Sequence, residues 1–410
     1  MPDVSFTNLL VVAAIAVLAP LTVGFAPRLR IPAVVLEIIG GIIVGPSGFG
    51  WVRVDLPVRI LALFGLAFLL FLAGLEIDVH QLRGRLLRFA VLGYLATLVL
   101  GYGAGASFTA AGWVSEPLLL AITLSATSLG LVVPVLKDAG QVHSEVGQTA
   151  LAAASIADFA AIVLLSLFFS SSSGSTGTRI VVLGVFAGLV VVTGIVISGA
   201  ARSMRLGQVL VRLQDTTAEI RVRFAVLLLV AFTVLAERFG LESILGAFLA
   251  GAIVGLVDRD SSSHPHFRTK LEAIGYGFLV PVFFVTSGIR LNLTGLLHSP
   301  SALARVPVFL LALLVVRGLP ALLGLRANGT RPTLALGLLQ ATSLPFIVTA
   351  TQIGVALGKL SSVTAAALVC AGLLSVLIFP LIALGLLRRN EPGPAAVPDM
   401  TAPVPEPHLM

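Results

Sequence analysis

Of the 410 residues, 57% are hydrophobic and only 11% charged, with a mean hydropathy of +1.07. Soluble domains carry about 25% charge, so these figures exclude an ordinary soluble domain, and apolar runs recurring along nearly the whole chain exclude a single-pass anchor on a soluble enzyme. The net charge of +7 comes from basic residues scattered singly between those runs, which excludes a nucleic-acid surface; the lone Cys370 excludes an intrachain disulfide, and six histidines lack metal-ligand spacing.

The first apolar run begins near Phe6 with no Lys or Arg before Arg28, so a cleaved signal peptide is not expected and the run is read as a retained span. Thirteen segments reach the roughly 20 apolar residues that a bilayer crossing needs: 6–26, 31–50, 57–77, 88–110, 116–136, 146–170, 180–200, 221–239, 241–257, 272–289, 303–325, 332–356 and 361–387. Glu237, Arg238 and Gly240 mark a very short turn between the eighth and ninth. With the N-terminus outside, 18 of the 26 basic residues fall in inside loops, 7 fall outside, and Arg317 lies within a span. That split follows the positive-inside rule, with the C-terminus cytoplasmic. Residues 1–389 form the predicted transmembrane domain, and the Pro-rich 390–410 is expected to be a disordered tail.

Self-comparison suggests an internal repeat. IIVG at 42–45 matches AIVG at 252–255, AGLEID at 73–78 matches SGIRLN at 287–292, and ATSL at 126–129 recurs at 341–344, with offsets of 210, 214 and 215. The paired spans differ in index by seven, so the copies, spans 2–6 and 9–13, cross the membrane in opposite directions. Inverted repeats of this kind characterise secondary transporters. The alternative is composition bias among apolar helices.

Both ATSL segments sit in mid-span beside Gly130 and Pro134 in one copy and Pro345 in the other. Thr127, Ser128, Thr342 and Ser343 therefore mark expected helix breaks, where freed carbonyls and half-helix ends can meet a cation. A single such hydroxyl would more simply back-bond to the preceding turn; the symmetric pair favours broken helices.

Charges inside spans are expensive and usually functional. Asp158 lies near the centre of span six with no other charge between Glu145 and Arg179, a carboxyl placed to gain and lose a proton at working pH. Arg317 stays protonated when buried and is expected to neutralise a carboxylate, cap helix carbonyls or balance two half-helix ends. Glu37, about one and a half turns into span two, is a possible funnel residue. Glu76, Glu237 and Glu242 sit near span ends, where a solvated interfacial role is the default.

The segments PAVVLEIIGGIIVGPSGFG, FLLFLAGLEIDV, the Thr-Ser of span five, AERFGLESILGAFLAGAIVG and GFLVPVFFVTSGIRLNL make the chain resemble the monovalent cation:proton antiporters of the sodium/hydrogen exchanger superfamily, in the bacterial branch that includes potassium efflux systems. The resemblance runs from about residue 8 to 388. It implies an all-α polytopic fold of about thirteen spans with two crossed broken helices in a mobile core, a static half that forms a homodimer, and residence in the inner cell membrane. It aligns Asp158 with the essential ion-binding aspartate, Thr127 and Ser128 with the unwound part of the first crossed helix, and Arg317 with the core's basic residue.

Two departures stand out. Ala157 occupies the position that commonly holds Asp, Asn or Gln, and Ser343 stands where the family's QGGEFAFVL pattern has Glu. A C-terminal nucleotide-binding regulatory domain is not expected. The implied activity is exchange of Na⁺ or K⁺ for H⁺ by competition at Asp158, without a cofactor, a resident metal or an enzymatic reaction; with Ala157 unable to ionise, one proton per cation is expected. A Na⁺-coupled organic-anion symporter of related fold, with Arg317 as its anchor, is the alternative; a channel or sensor lacks a filter-like motif, and a hydrolase would need HExxH or GxSxG.

Overall fold

A backbone in lipid finds no water for its amides, and a helix satisfies them within its own segment. Accordingly, all regular structure among the described residues of the computed structural model is helical. Those residues are 6–25, 32–76, 84–138, 140–142, 144–169, 176–201, 219–257, 266–325 and 329–388. The predicted tail, 390–410, and the topology-marking Arg28, Arg30, Arg83, Arg202, Arg205, Arg212, Arg259, Arg326 and Arg389 lie outside them.

Apart from the five-residue helix Leu293–Leu297, the helices in chain order are α1 (Thr7–Phe25), α2 (Ala33–Val44), α3 (Leu56–Leu75), α4 (Gly84–Ala110), α5 (Pro117–Ser125), α6 (Leu129–Asp138), α7 (Glu145–Phe169), α8 (Thr176–Ala201), α9 (Ile220–Arg238), α10 (Ser243–Val257), α11 (Phe267–Arg290), α12 (Pro300–Gly324), α13 (Thr330–Gln340), α14 (Pro345–Ala356) and α15 (Ser362–Arg388). Among the described residues eight helices are long and apolar enough to cross a membrane, counting α13 and α14 as one, with three shorter apolar helices beside them.

Several predicted spans differ in detail. α2 stops at Val44, well short of residue 50, because Gly45 is extended (φ −75°, ψ −178°), as the residue before Pro46 prefers. The 116–136 span is two helices separated by unwound Ala126–Ser128, and the 332–356 span is divided at Ala341–Leu344. α11 and α12 each contain a π turn, Gly275–Leu279 and Leu314–Gly318, shortly before Pro281 and Pro320. A proline lacks an N–H and crowds the preceding turn, and a widened turn relieves both problems. Arg317 sits in the second π turn.

The helices pack in two groups. α1, α2, α3, α9, α10 and α11 lie against one another, while α4, α5, α7, α12, α13, α14 and α15 form the second assembly; α6 packs on α7, and α8 touches both groups. In the first group the closest approaches run through glycines, which let backbones meet where lipid supplies no competing hydrophobic drive. A Cβ on Gly41 would strike Val285 O and one on Gly288 would strike Ile38 O, joining α2 to α11; Gly251 faces Phe71 O and Gly74 faces Phe248 O, joining α3 to α10.

Gly251→Ala therefore must move backbone and is expected to destabilise by about 1–3 kcal/mol, read as a lower thermal-unfolding midpoint in detergent. Gly184→Ala in α8, where the added carbon meets open space, is the control. Equal midpoints for the two variants would contradict the close-approach reading.

Candidate functional site

The site is built where the two unwound segments cross. Ser128 N donates to Thr342 O at 3.0 Å, and Thr127 Oγ1 donates to Gln340 O at 2.7 Å. Each break thus supplies the partner that the other lacks, which is how backbone groups freed at membrane depth are tolerated. Gln340 is the last residue of α13, so its carbonyl lies at the negative end of a half-helix.

Arg317 answers that negative end. Its Nε donates to Thr127 Oγ1 at 3.0 Å and to Gln340 O at 3.3 Å, its Nη2 also donates to Thr127 Oγ1, and its Nη1 reaches Thr97 Oγ1 at 3.3 Å. With only 2% of its surface exposed, it cannot snorkel to the interface. Of the expected roles, the carbonyl-capping one describes its contacts: two hydroxyls and a carbonyl, with Asp158 not among them. Each of the three guanidinium nitrogens holds a partner at the helix crossing, so the group that an organic-anion symporter would use as its anchor is committed there.

Asp158 occupies the complementary position. Its Oδ2 accepts a long hydrogen bond, 3.4 Å, from Leu129 N at the start of α6, the positive end of that half-helix. Asp158 is half-buried and lines a cavity of about 380 Å³, together with Thr127, Ser128 and Leu129. α6, α7 and the break preceding α6 thus hold one carboxylate and several backbone and hydroxyl oxygens in a space large enough for a hydrated monovalent cation. Ala157, the neighbour on α7, is fully buried and brings no second acid.

A sequence profile described as "Sodium/hydrogen exchanger, transmembrane" matches residues 13–388. The chain belongs to the sodium/hydrogen exchanger family. It is similar to the protein YjbQ of Bacillus subtilis (strain 168), 32% identical over 410 residues that cover 95% of this chain and 64% of that protein. It is also similar to the Na(+)/H(+)-K(+) antiporter GerN of Bacillus cereus, 28% identical over 317 residues, 76% of this chain and 77% of GerN. The sodium proton antiporter MjNhaP1 from Methanocaldococcus jannaschii at pH 8 shares the fold, with a TM-score of 0.68 at 20% identity over 94% of this chain and 98% of that one.

Within this exchanger-family fold the other expected residues are distributed unevenly. Thr342 lends its carbonyl to the crossing, but its hydroxyl donates back to Leu338 O in α13 at 3.0 Å. Ser343 is fully buried, its backbone N and O bonded to Ser375 Oγ at 3.3 and 3.1 Å, and its hydroxyl has no partner among the described residues. Neither lines the cavity; Pro345 and Phe346 represent that segment there. Glu37 also lies away from the cavity lining: it is 4% exposed on α2, which packs between α1 and α11, and its buried Oε2 has no partner among the described residues. Thr127 lines the cavity, yet its hydroxyl is occupied by Gln340 and Arg317, leaving Ser128 and the backbone as the free oxygens near Asp158.

Sequence reasoning missed the cavity's other polar walls. Glu76 lines it, with Glu272 and Tyr276 from α11; Arg268 pairs with Glu272 at 3.0 Å and approaches Glu76 at 4.0 Å. Glu76 and Glu272 each sit at a span end, where the default reading is interfacial; the i,i+4 spacing of Arg268 and Glu272 was the one available signal. Thr97 and Tyr94, whose hydroxyl lies 3.0 Å from Ser125 Oγ, also went unnoticed among the small residues of span four.

Proposed function

We propose that this chain is a secondary antiporter that exchanges a monovalent cation, Na⁺ or K⁺, for H⁺ across the inner cell membrane, the two competing for Asp158 in a core that faces each side in turn. The observation that carries this reading is Asp158 itself: the carboxylate that lines the cavity at the helix break, beside a half-helix N-terminus and unbridged by the nearby guanidinium. Ionised, it binds a partly dehydrated cation with help from Ser128 and backbone oxygens; protonated, it releases it. An empty charged site is costly to carry through an apolar barrier, so the core moves loaded with either ion or proton, and exchange is obligatory. The name of GerN, which covers both Na⁺ and K⁺, supports leaving the cation class at these two.

The finer architecture belongs to the same proposal. The eight long helices, the three shorter ones, the broken pair α5/α6 and α9 together would account for thirteen spans. The glycine contacts support two inverted repeats. Shifted by the offsets of 210 and 214, the pair Gly41 and Val285 becomes Gly251 and Phe71, and the pair Gly288 and Ile38 becomes Gly74 and Phe248. Two copies exchanged by a two-fold axis would make these contacts in duplicate. An outside N-terminus, a cytoplasmic C-terminus and a homodimer formed through the static half complete the proposal, on the charge distribution and the family resemblance.

The test is reconstitution into proteoliposomes carrying an internal pH dye, challenged in turn with Na⁺, Li⁺ and K⁺. Na⁺ or K⁺ should drive proton flux in the opposite direction. With Asp158 as the one carboxylate at the helix break and Ala157 beside it, exchange should be electroneutral, its reversal independent of membrane potential; net charge movement per cycle would refute the one-for-one stoichiometry.

A further inference from the structure

We infer that a small void between α3, α11 and α14 is the second access route in its shut state, closed by the hydrogen bond from Gln352 to Ser287 and carrying a fixed positive charge at its mouth. This rests on the exchange reading, which requires two routes, and identifies the one not open here.

The void holds only about 10 Å³ and is lined by Ala62, Phe283, Thr286, Ser287, Arg290 and Gln352 among others. Subtracting the repeat offset of 214 converts Phe283, Ser287 and Arg290 into Leu69, Ala73 and Glu76, and adding it to Ala62 gives Tyr276. All four of those mates line the open cavity. A collapsed void and an open cavity built from corresponding positions of two inverted copies are the two ends of one pathway, one shut while the other is open.

The chemistry agrees. Thr286 Oγ1 is buried without a partner among the described residues, an arrangement that carries a desolvation penalty and is relieved once water or a cation enters. Ser287 Oγ donates to Phe283 O at 2.7 Å and accepts from Gln352 Nε2 at 3.1 Å. Gln352 belongs to α14, in the helix group that carries Asp158, whereas Ser287 belongs to α11, in the other group. This hydrogen bond therefore spans the boundary that has to part for the route to open. The mouths differ in sign: Glu76 stands on the open side and Arg290 in the mate position. A fixed cation there opposes an arriving one, so the transported ion should bind more weakly from the Arg290 face.

The test uses the full chain in a Cys370→Ser background, reconstituted in proteoliposomes and exposed to a membrane-impermeant methanethiosulfonate on one face at a time. Ala73→Cys and Ser287→Cys should label from opposite faces, with Thr286→Cys, one position along, following Ser287→Cys. Arg290→Gln should lower the half-saturating cation concentration about threefold on the face that labels Ser287→Cys and leave the other face unchanged. If Ser287→Cys and Thr286→Cys are both inert from either face, or label from the same face as Ala73→Cys, the second route is elsewhere. Labelling needs only that the core switch sides, not that cation and proton flux be coupled, so labelling from opposite faces without cation-driven proton flux in the unsubstituted chain would instead strike the exchange reading.

Discussion

Asp158→Asn is expected to abolish cation-coupled proton flux, with a loss of at least about 100-fold, or ~2.7 kcal/mol of driving interaction. The substitution keeps the side chain's volume and leaves an oxygen to accept from Leu129 N, so the fold should survive. What disappears is the charge that holds a cation in the cavity and the proton that competes with it. Flux into dye-loaded proteoliposomes reads that loss, and an unchanged thermal midpoint in detergent reads the survival of the fold. A variant that exchanges Na⁺ and K⁺ as well as the unsubstituted chain removes Asp158 from the mechanism.

Arg317→Met is expected to lower exchange at least about tenfold and to lower the unfolding midpoint as well. Truncation leaves Thr127 Oγ1, Gln340 O and Thr97 Oγ1 without their cationic donor, and each acceptor deprived of a buried partner costs about 1–3 kcal/mol unless it finds another. Thr127 still donates to Gln340 O, so the loss is less than three full penalties. The larger consequence is electrostatic: the C-terminal end of α13 loses the positive charge that balances it at low dielectric. Arg317→Lys keeps that charge but offers a point donor in place of a planar fork; it should recover part of the exchange activity and less of the stability. Full activity and an unchanged midpoint in Arg317→Met would show that the crossing does not depend on the guanidinium.

Asp158 and the helix breaks were legible in the sequence because each is a local anomaly. One acid stands in a run of Ala, Ile and Leu, and hydroxyls sit beside Gly or Pro where lipid favours neither. Arg317 was legible as a charge but not as a contact, since Thr127 and Thr97 lie 190 and 220 residues away and the π turn that aims it arises from Pro320. Glu272 and Tyr276 were hidden for a different reason: only the approach of α3 to α11 turns the end of a span into a cavity wall. Glu37 was placed by counting turns into span two, but burial on α2 depends on how α1 and α11 cover it, which no count of turns contains. The early end of α2 was written in Gly45-Pro46 and was overrun by a smooth hydropathy profile.

The bonds between the two breaks have a mechanical consequence. Thr127 and Ser128 rivet one interrupted helix to the other, and Arg317 grips the same joint, so neither interrupted helix can slide without taking its neighbour along. In the proposed exchange, an ion seated beside them would ride in an undeformed cradle, with the same oxygens around it at either end of the stroke. Its intrinsic grip would then be equal on both faces of the membrane, and any difference in apparent affinity between the faces would be set at the two proposed doorways, by Glu76 at one and Arg290 at the other.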